Sequence, residues 1–150
     1  MTALNYISKT NTVATPPYLL KILQKEFGEL FDPCPFNAKF DKKVDIDGLT
    51  IPWKRTNYVN PPYNSARPWV RKAKQEQDKG NTTIMLLKLT TLGTQYMKAC
   101  APTAEIRVLS HPLRFSGYDG IARFTNVILI FHGDKQKAGQ ISFISHFPPK

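Results

Sequence analysis

The stretch Thr56-Asn57-Tyr58-Val59-Asn60-Pro61-Pro62-Tyr63 joins a strand-like run to two consecutive prolines. β-Branched and aromatic residues favour an extended strand over residues 56–59. Each proline fixes its backbone φ angle and lacks an N–H group, so the strand ends at Asn60. The Asn60 side chain and the Pro61 carbonyl are thereby held in fixed positions, with the ring of Tyr63 close behind. The same residues could form a rigid strand-to-loop turn with no catalytic function, so the neighbouring sequence must decide between the two.

A planar amine is the kind of substrate that this segment suits. The lone pair of an exocyclic amino group is delocalised into the base, which makes the nitrogen a poor nucleophile. Hydrogen bonds from the amine to the Asn60 amide oxygen and the Pro61 carbonyl would return electron density to the nitrogen, which could then attack an electrophilic methyl group. Pro62 would stiffen the loop. Tyr63 would stack on the base, a contact worth about 1–3 kcal/mol, and hold it outside the duplex. This reaction needs no metal.

Length and charge set the outer limits on fold and partner. The 150 residues are enough for one ordinary domain, which we place at residues 15–150 after a flexible arm at 1–14. A net charge of +10 favours a polyanion such as nucleic acid as partner. Cys34 and Cys100 lack the spacing of a metal site or a disulfide framework. We also find no signal peptide or membrane segment, so we expect a cytoplasmic protein with reduced thiols.

Hydrophobic periodicity predicts helices and strands that alternate along the chain. Thr15-Pro16-Pro17 is typical of a helix start, with Thr15 as the N-cap, and this helix ends near Phe27. The other predicted elements are a short strand at 29–32, a helix capped by Ser65 or Asn64 that runs to about Lys79, a buried strand at 81–87, a short helix at 96–100, and strands at 105–109 and 126–131. Residues 140–145 are predicted to form a final edge strand or a hairpin partner. The pattern predicts an α/β fold whose sheet is mostly parallel with a late antiparallel hairpin. Ligands would bind beyond the carboxyl ends of the strands.

The order of the motifs resembles the small phage-type DNA N6-adenine methyltransferases, the Dam-like family of S-adenosylmethionine-dependent amino-methyltransferases. The motifs are a Thr15-Pro16-Pro17 helix start, Asp32-Pro33 after a strand, Asp47-x-Leu49-x-x-x-Trp53, and Asn60-Pro61-Pro62-Tyr63, within residues 15–131. The resemblance implies a compact Rossmann-like methyltransferase sheet and S-adenosylmethionine as cofactor. It also implies methylation of adenine N6 in DNA, with the base flipped out of the duplex.

The resemblance also implies roles for single residues. The catalytic loop would consist of Asn60, Pro61, Pro62 and Tyr63. The residues implied to bind the cofactor are Thr15, Pro16, Asp32, Pro33, Cys34 and Asp47. Thr15 and Pro16 would lie beside the methionine moiety, and Asp47 would accept a hydrogen bond from the amino group of the cofactor adenine. The loop after Asp32 lacks the glycines that methyltransferases usually carry there.

Basic residues near the predicted active loop are candidates for binding DNA. Arg67 and Arg71 lie one helical turn apart after Tyr63, where they could hold phosphates beside an extruded base. Lys88 directly follows the strand predicted at 81–87, at its carboxyl edge, and could also reach a phosphate. The remaining candidates, Arg114 and Arg123, flank a glycine-containing loop. For the helical arginines and Lys88, a simple solvated surface position is the alternative.

Alternatives to DNA methylation remain open from the sequence. The same tetrapeptide occurs in enzymes that methylate a guanine amine of RNA or the side-chain amide of a protein glutamine. A non-catalytic nucleic-acid-binding module on a decayed fold also fits, because Lys88 is not followed by the Arg and Asp that the family usually has. The short chain leaves no room for a large target-recognition domain. It therefore predicts low sequence specificity or a homodimer that shares the DNA.

Overall fold

The structure of the chain is a computed structural model, and it describes residues 15–35, 47–113 and 124–145. Within these ranges, five strands and three α-helices form the fold. The strands are β1 (Thr56–Val59), β2 (Thr82–Lys88), β3 (Glu105–Leu109), β4 (Asn126–Phe131) and β5 (Ile141–Ile144). The helices are α1 (Pro17–Phe27), α2 (Ala66–Asp78) and α3 (Met97–Cys100). The predicted arm at 1–14 and the candidate DNA contacts Arg114 and Arg123 lie outside the described residues.

The described strands form one sheet in the order β1-β2-β4-β3-β5. β1 runs parallel to β2, and β3 runs parallel to β5. β4 lies between β2 and β3 and is antiparallel to both. The predicted α/β class with a mostly parallel sheet is therefore confirmed, and the antiparallel strand comes late in the chain as expected.

β5 is an edge strand, which was one of the two predicted alternatives, and it is not the hairpin partner of β4. Both edges of β4 are already hydrogen-bonded, to β2 and to β3, so no edge is free for β5. The chain after β4 instead passes to the outer edge of β3, where Ile141 pairs with Ile106 in parallel register. The close approach of Gly133 to the backbone of Gly80 turns the chain away from β4 at this point.

The two faces of the sheet are covered by different helices. The α2 residues Ala66, Trp69, Val70 and Ala73 are buried in one cluster with residues of β1, β2, β3 and β4, which confirms the predicted apolar stripe. Trp69 stacks on Trp53 with ring centroids 6.2 Å apart, so its role is in the core. Among the described helices, none has the length and apolar character needed to cross a membrane.

Helix α1 covers the other face, and it begins differently from the prediction. Its N-cap is Pro16, which makes no side-chain cap bond, and Pro17 opens the first turn. Thr15 therefore lies one residue too early to cap the helix, and the predicted capping role is wrong. Leu19 and Leu23 of α1 are fully buried against this face. Burying side chains of this size stabilises the fold by about 1.5–3 kcal/mol each.

The short strand predicted at 29–32 is reduced to a single bridge between Phe31 and Asn57. The Phe31 N–H donates to the Thr56 carbonyl at 3.0 Å, and the Tyr58 N–H donates to the Phe31 carbonyl at 2.8 Å. Pro33 lacks an N–H and cannot extend this pairing. The bridge is parallel to β1, so the loop after Phe31 leaves the sheet at the same edge as Asn60.

An ionic cluster joins α1 to the sheet at the opposite edge. The Arg107 guanidinium donates to both carboxylate oxygens of Glu26, at 2.7 and 2.6 Å, and to Glu105 at 2.8 Å. The hydrogen bond from Arg107 lowers the pKa of Glu26 below its usual range. The buried Glu105 also lies 2.7 Å from the His132 ring nitrogen. This cluster fixes α1, and therefore Thr15 at its start, relative to the strands.

Candidate active site

The tetrapeptide Asn60-Pro61-Pro62-Tyr63 follows β1 directly and lies at the carboxyl edge of the sheet. β2 is parallel to β1, so Lys88 at its end reaches the same edge. Asn126 pairs with Lys88 across the β2–β4 ladder and therefore joins them. Ligands of open α/β sheets bind at this edge. The catalytic candidates and Lys88 are thus brought together, although they are up to 28 residues apart in sequence.

The Asn60 side chain is oriented by a chain of hydrogen bonds. Its amide Nδ2 donates to Thr15 Oγ1 at 3.1 Å, and Thr15 Oγ1 lies 2.7 Å from the Tyr58 hydroxyl. Burial raises the pKa of Tyr58 well above its usual value, so the hydroxyl remains protonated. Since the amide nitrogen is engaged, the orientation of the acceptor oxygen of Asn60 is set by the protein. Sequence reasoning placed Thr15 in the cofactor site and missed this contact, because nothing in the sequence links positions 15 and 60.

The Tyr63 ring is contacted on several sides. Phe124 meets it edge-on, with centroids 5.5 Å apart and planes at 84°. The Lys88 ammonium lies 5.2 Å from the Tyr63 centroid and 4.6 Å from the Phe124 centroid. Asn126 Nδ2 lies 3.4 Å from the Tyr63 hydroxyl. Burial raises the pKa of Tyr63, so this ring is a neutral platform rather than a base.

Asn126 was not among the residues predicted from sequence. A signal was present, because it is the single polar residue in the otherwise apolar strand Asn126-Val127-Ile128-Leu129-Ile130-Phe131. The structure places this polar end of β4 beneath Tyr63.

The two segments assigned to the cofactor by resemblance pack against each other. A Cβ atom added to Gly48 would lie 1.8 Å from the Pro33 carbonyl oxygen, so only glycine allows this approach. The Gly48 carbonyl accepts a hydrogen bond from Trp53 Nε1 at 2.8 Å. Asp47 Oδ1 accepts from the Leu49 N–H at 3.0 Å and caps the short turn. The Asp47 motif therefore supports the loop that starts at Asp32.

The side chains of this loop offer hydrogen-bond acceptors to a ligand. Water reaches the Asp32 side chain, but the many protein atoms around the carboxyl desolvate it and raise its pKa to about 6, against an opposing hydrogen bond from the Cys34 N–H at 2.8 Å. Burial, together with the charges of Asp32 and Asp47, raises the pKa of Cys34 to about 12. The thiol is therefore neutral and unreactive. The carboxyl groups of Asp32 and Asp47, beside a neutral thiol, can accept hydrogen bonds from amino and hydroxyl groups of a ligand.

The basic residues of α2 fall into two groups. Lys72 and Lys79 pair with the buried Glu76, and Lys74 pairs with Asp78 at 2.7 Å. Both predicted phosphate contacts, Arg67 and Arg71, are exposed and have no acidic partner among the described residues. Both lie in the first two turns of α2, directly after the tetrapeptide. Within α2, the positive charge that no acidic side chain neutralises therefore lies in the turns that follow the tetrapeptide.

The described part of the chain also contains a groove that lies apart from this site. A groove of about 570 Å³ is lined by Gly93, Met97, Ile106 and Gly139 and contains none of the predicted site residues. Across the described ranges, no three His, Cys, Asp or Glu side chains are grouped so that they could hold a metal ion.

Comparison with known proteins identifies a family and a solved structure that resemble this chain. A family model described as DNA N-6-adenine-methyltransferase (Dam) matches residues 7–147. A search of curated proteins finds no match. The crystal structure of a predicted O-methyltransferase from Agrobacterium tumefaciens is 18% identical, with a TM-score of 0.38. The match covers 75% of this chain and 51% of the other, so this chain spans about half the length of that protein.

Proposed function

The chain belongs to the DNA N-6-adenine-methyltransferase (Dam) family, whose model matches residues 7–147, and we propose that it is a methyltransferase that acts on N6 of adenine in DNA. The observation that carries this proposal is the oriented amide of Asn60 at the carboxyl edge of the sheet, with the Tyr63 ring three residues away. An acceptor oxygen and an aromatic platform are what a flat base with an exocyclic amine requires.

The contacts of Asn60 and Tyr63 support a role for each residue of the tetrapeptide. The Asn60 amide oxygen and the Pro61 carbonyl would accept hydrogen bonds from the two N–H groups of the amine. These bonds hold the nitrogen in place and increase its electron density. Thr15 fixes the Asn60 amide, so the acceptor is oriented before the base arrives. Pro62 restricts the loop, and Tyr63 stacks on the base outside the duplex.

The cofactor we propose is S-adenosylmethionine, which supplies an electrophilic methyl group when bound. The loop of Asp32, Pro33 and Cys34 would hold it together with Asp47, since the carboxylates are acceptors for amino and hydroxyl groups. Thr15 and Pro16 precede α1 and connect this region to the tetrapeptide through the Thr15 hydroxyl. The neutral Cys34 would contribute packing rather than charge.

The affinity for S-adenosylmethionine is expected to rise as the pH increases through about 6. The pKa of Asp32 is raised to about 6 by desolvation, so its carboxyl is mostly protonated below that pH and ionised above it. An ionised carboxylate attracts the positively charged sulfonium compound. Calorimetric titrations between about pH 5 and pH 7 should show this rise for the wild type and a flat profile for Asp32→Asn. An unchanged pH profile in Asp32→Asn would remove Asp32 from the cofactor site.

DNA binding would use the basic residues beside the tetrapeptide. Arg67 and Arg71 are exposed and not neutralised by the acidic residues of α2, so they can contact phosphates on either side of the extruded base. Lys88 is within reach of the same nucleotide. The assignments of Arg114 and Arg123 remain predictions from the sequence.

Replacing Arg67 and Arg71 with alanine is expected to weaken the salt dependence of DNA binding. Each lost phosphate contact lowers the slope of log affinity against log salt by about 0.9 for duplex DNA, so the double variant should lose about 1.8. Lys74→Ala is the matched control, because Lys74 lies on the same helix and is already paired with Asp78. Fluorescence anisotropy over a salt series gives the slopes. Equal slopes for the double variant and the wild type would contradict the assignment.

The reaction itself can be tested with methyl-labelled S-adenosylmethionine. The purified protein is incubated with unmethylated DNA, with RNA and with a glutamine-containing protein, and the nucleic acids are digested for analysis. We expect label in N6-methyladenine from DNA. Label confined to RNA or protein would overturn the proposed substrate. Calorimetry without detectable cofactor binding, together with DNA binding, would instead favour a non-catalytic nucleic-acid-binding module.

A further inference from the structure

We propose that Asn126 is a positioning residue that fixes the Tyr63 ring through its hydroxyl group, an inference that rests on the proposed function. Asn126 opens β4 and is fully buried. Its Nδ2 donates to the Leu87 carbonyl at 3.1 Å and lies 3.4 Å from the Tyr63 hydroxyl. The side-chain amide therefore links the backbone of β2 to the last residue of the tetrapeptide.

The hydrogen bond to the Leu87 carbonyl does not by itself account for an amide at this position. The five residues that follow Asn126 in β4 are all apolar and buried. The Asn126 Oδ1 atom is buried and finds no hydrogen-bond partner among the described residues. Burying a polar atom without a partner is unfavourable, and an apolar side chain of the same shape would avoid that penalty. An unpartnered amide oxygen is thus unfavourable for packing, and among the described residues the amide also hydrogen-bonds outside the sheet, to Tyr63.

The other buried, unpartnered side-chain atoms in the described part of the chain differ from Asn126. Gln77 Oε1 belongs to an amide that bonds to the carbonyls of Thr103 and His132, away from the tetrapeptide. Thr83 Oγ1 lies near the start of β2, where Thr83 pairs with Phe131 at the far edge of the sheet. Of these three, Asn126 is the one that contacts a residue of the candidate active site.

The contacts of Tyr63 explain what such a link would do. Phe124 meets the ring edge-on and the Lys88 ammonium lies over its face, but neither contact sets the direction of the hydroxyl. Asn126 contacts the hydroxyl itself and so adds a constraint on its direction. A ring held in one orientation before the base arrives loses little further freedom when the base stacks on it. Asn126 therefore acts on the substrate through Tyr63 and need not touch it.

The test is a double-mutant cycle with Asn126→Leu and Tyr63→Phe. Leucine has nearly the shape of asparagine, so thermal denaturation should show an unchanged or higher Tm. We expect kcat/KM for DNA methylation to fall about fivefold to tenfold in Asn126→Leu, the range for one lost hydrogen bond. In the Tyr63→Phe background, which already lacks the hydroxyl, the same substitution should have no further effect. Thr83→Val is the matched control, since it alters another buried unpartnered group and should leave kcat/KM unchanged.

A second readout does not depend on activity. NMR of ring-labelled tyrosine should show slow flipping of the Tyr63 ring in the wild type and faster flipping in Asn126→Leu. Wild-type kcat/KM in Asn126→Leu, or an equal loss in both Tyr63 backgrounds, would overturn the positioning role. If the wild type methylates no DNA, the proposed function fails, and the ring-flipping rates alone decide: equal rates in the two proteins overturn the link between Asn126 and Tyr63, and faster flipping in the variant supports it.

Discussion

Replacing Asn60 with alanine is expected to lower the rate of methyl transfer by about 100-fold or more, the loss typical of removing one oriented hydrogen-bond partner of a reacting group. The substitution deletes the amide oxygen that would accept from the amine and leaves Pro61 as the single acceptor. The Thr15 hydroxyl also loses its contact with the amide but keeps the one with Tyr58. Single-turnover methylation measures the rate, and calorimetry should show nearly unchanged binding of S-adenosylmethionine.

Asn60→Asp is the matched control for this prediction. Aspartate keeps an acceptor oxygen of the same reach, and the Thr15 hydroxyl can donate to the carboxylate where it accepted from the amide. We expect Asn60→Asp to retain much more activity than Asn60→Ala. Equal rates for Asn60→Ala and the wild type would show that the Asn60 amide takes no part in the reaction.

The sheet was largely predictable because its strands carry strong local signals. The strands at 105–109 and 126–131 have their predicted limits, since each is an apolar run bounded by polar or turn residues. The stripe on α2 follows from its helical spacing. The pairing of β5 could not be predicted, because it depends on which strand edge remains free after β4 inserts between β2 and β3. That choice is a property of the assembled sheet.

The candidate site likewise has a part that could be predicted from the sequence and a part that could not. The tetrapeptide and the Asp47 motif are contiguous in sequence, and their residue types reveal their chemistry. The contact of Thr15 with Asn60 joins residues 45 positions apart, so it depends on how the chain folds and not on local sequence. The ion pairing of the α2 lysines could be predicted from the sequence, since Lys72–Glu76 and Lys74–Asp78 have the i,i+4 spacing of helical ion pairs.

Replacing Gly48 with alanine is expected to lower the affinity for S-adenosylmethionine by about tenfold or more. The new Cβ would lie 1.8 Å from the Pro33 carbonyl oxygen and 2.7 Å from its carbon, and backbone atoms cannot rotate away. The loop that carries Asp32 must therefore move away from the Asp47 turn. Overpacking of this kind destabilises by about 1–3 kcal/mol. If about 1.4 kcal/mol of this cost reduces the free energy of cofactor binding, the complex becomes tenfold weaker.

Gly93→Ala is the matched control, because a Cβ atom at Gly93 meets no atom within 4 Å and the backbone there needs no left-handed φ. Calorimetry should give wild-type affinity for Gly93→Ala and the weakened affinity for Gly48→Ala, with thermal denaturation recorded for both. A loss of stability in Gly48→Ala without a loss of affinity would separate the Asp32 loop from the cofactor site. A loss of both would mean that the close approach of Gly48 to Pro33 builds the cofactor site and part of the fold together.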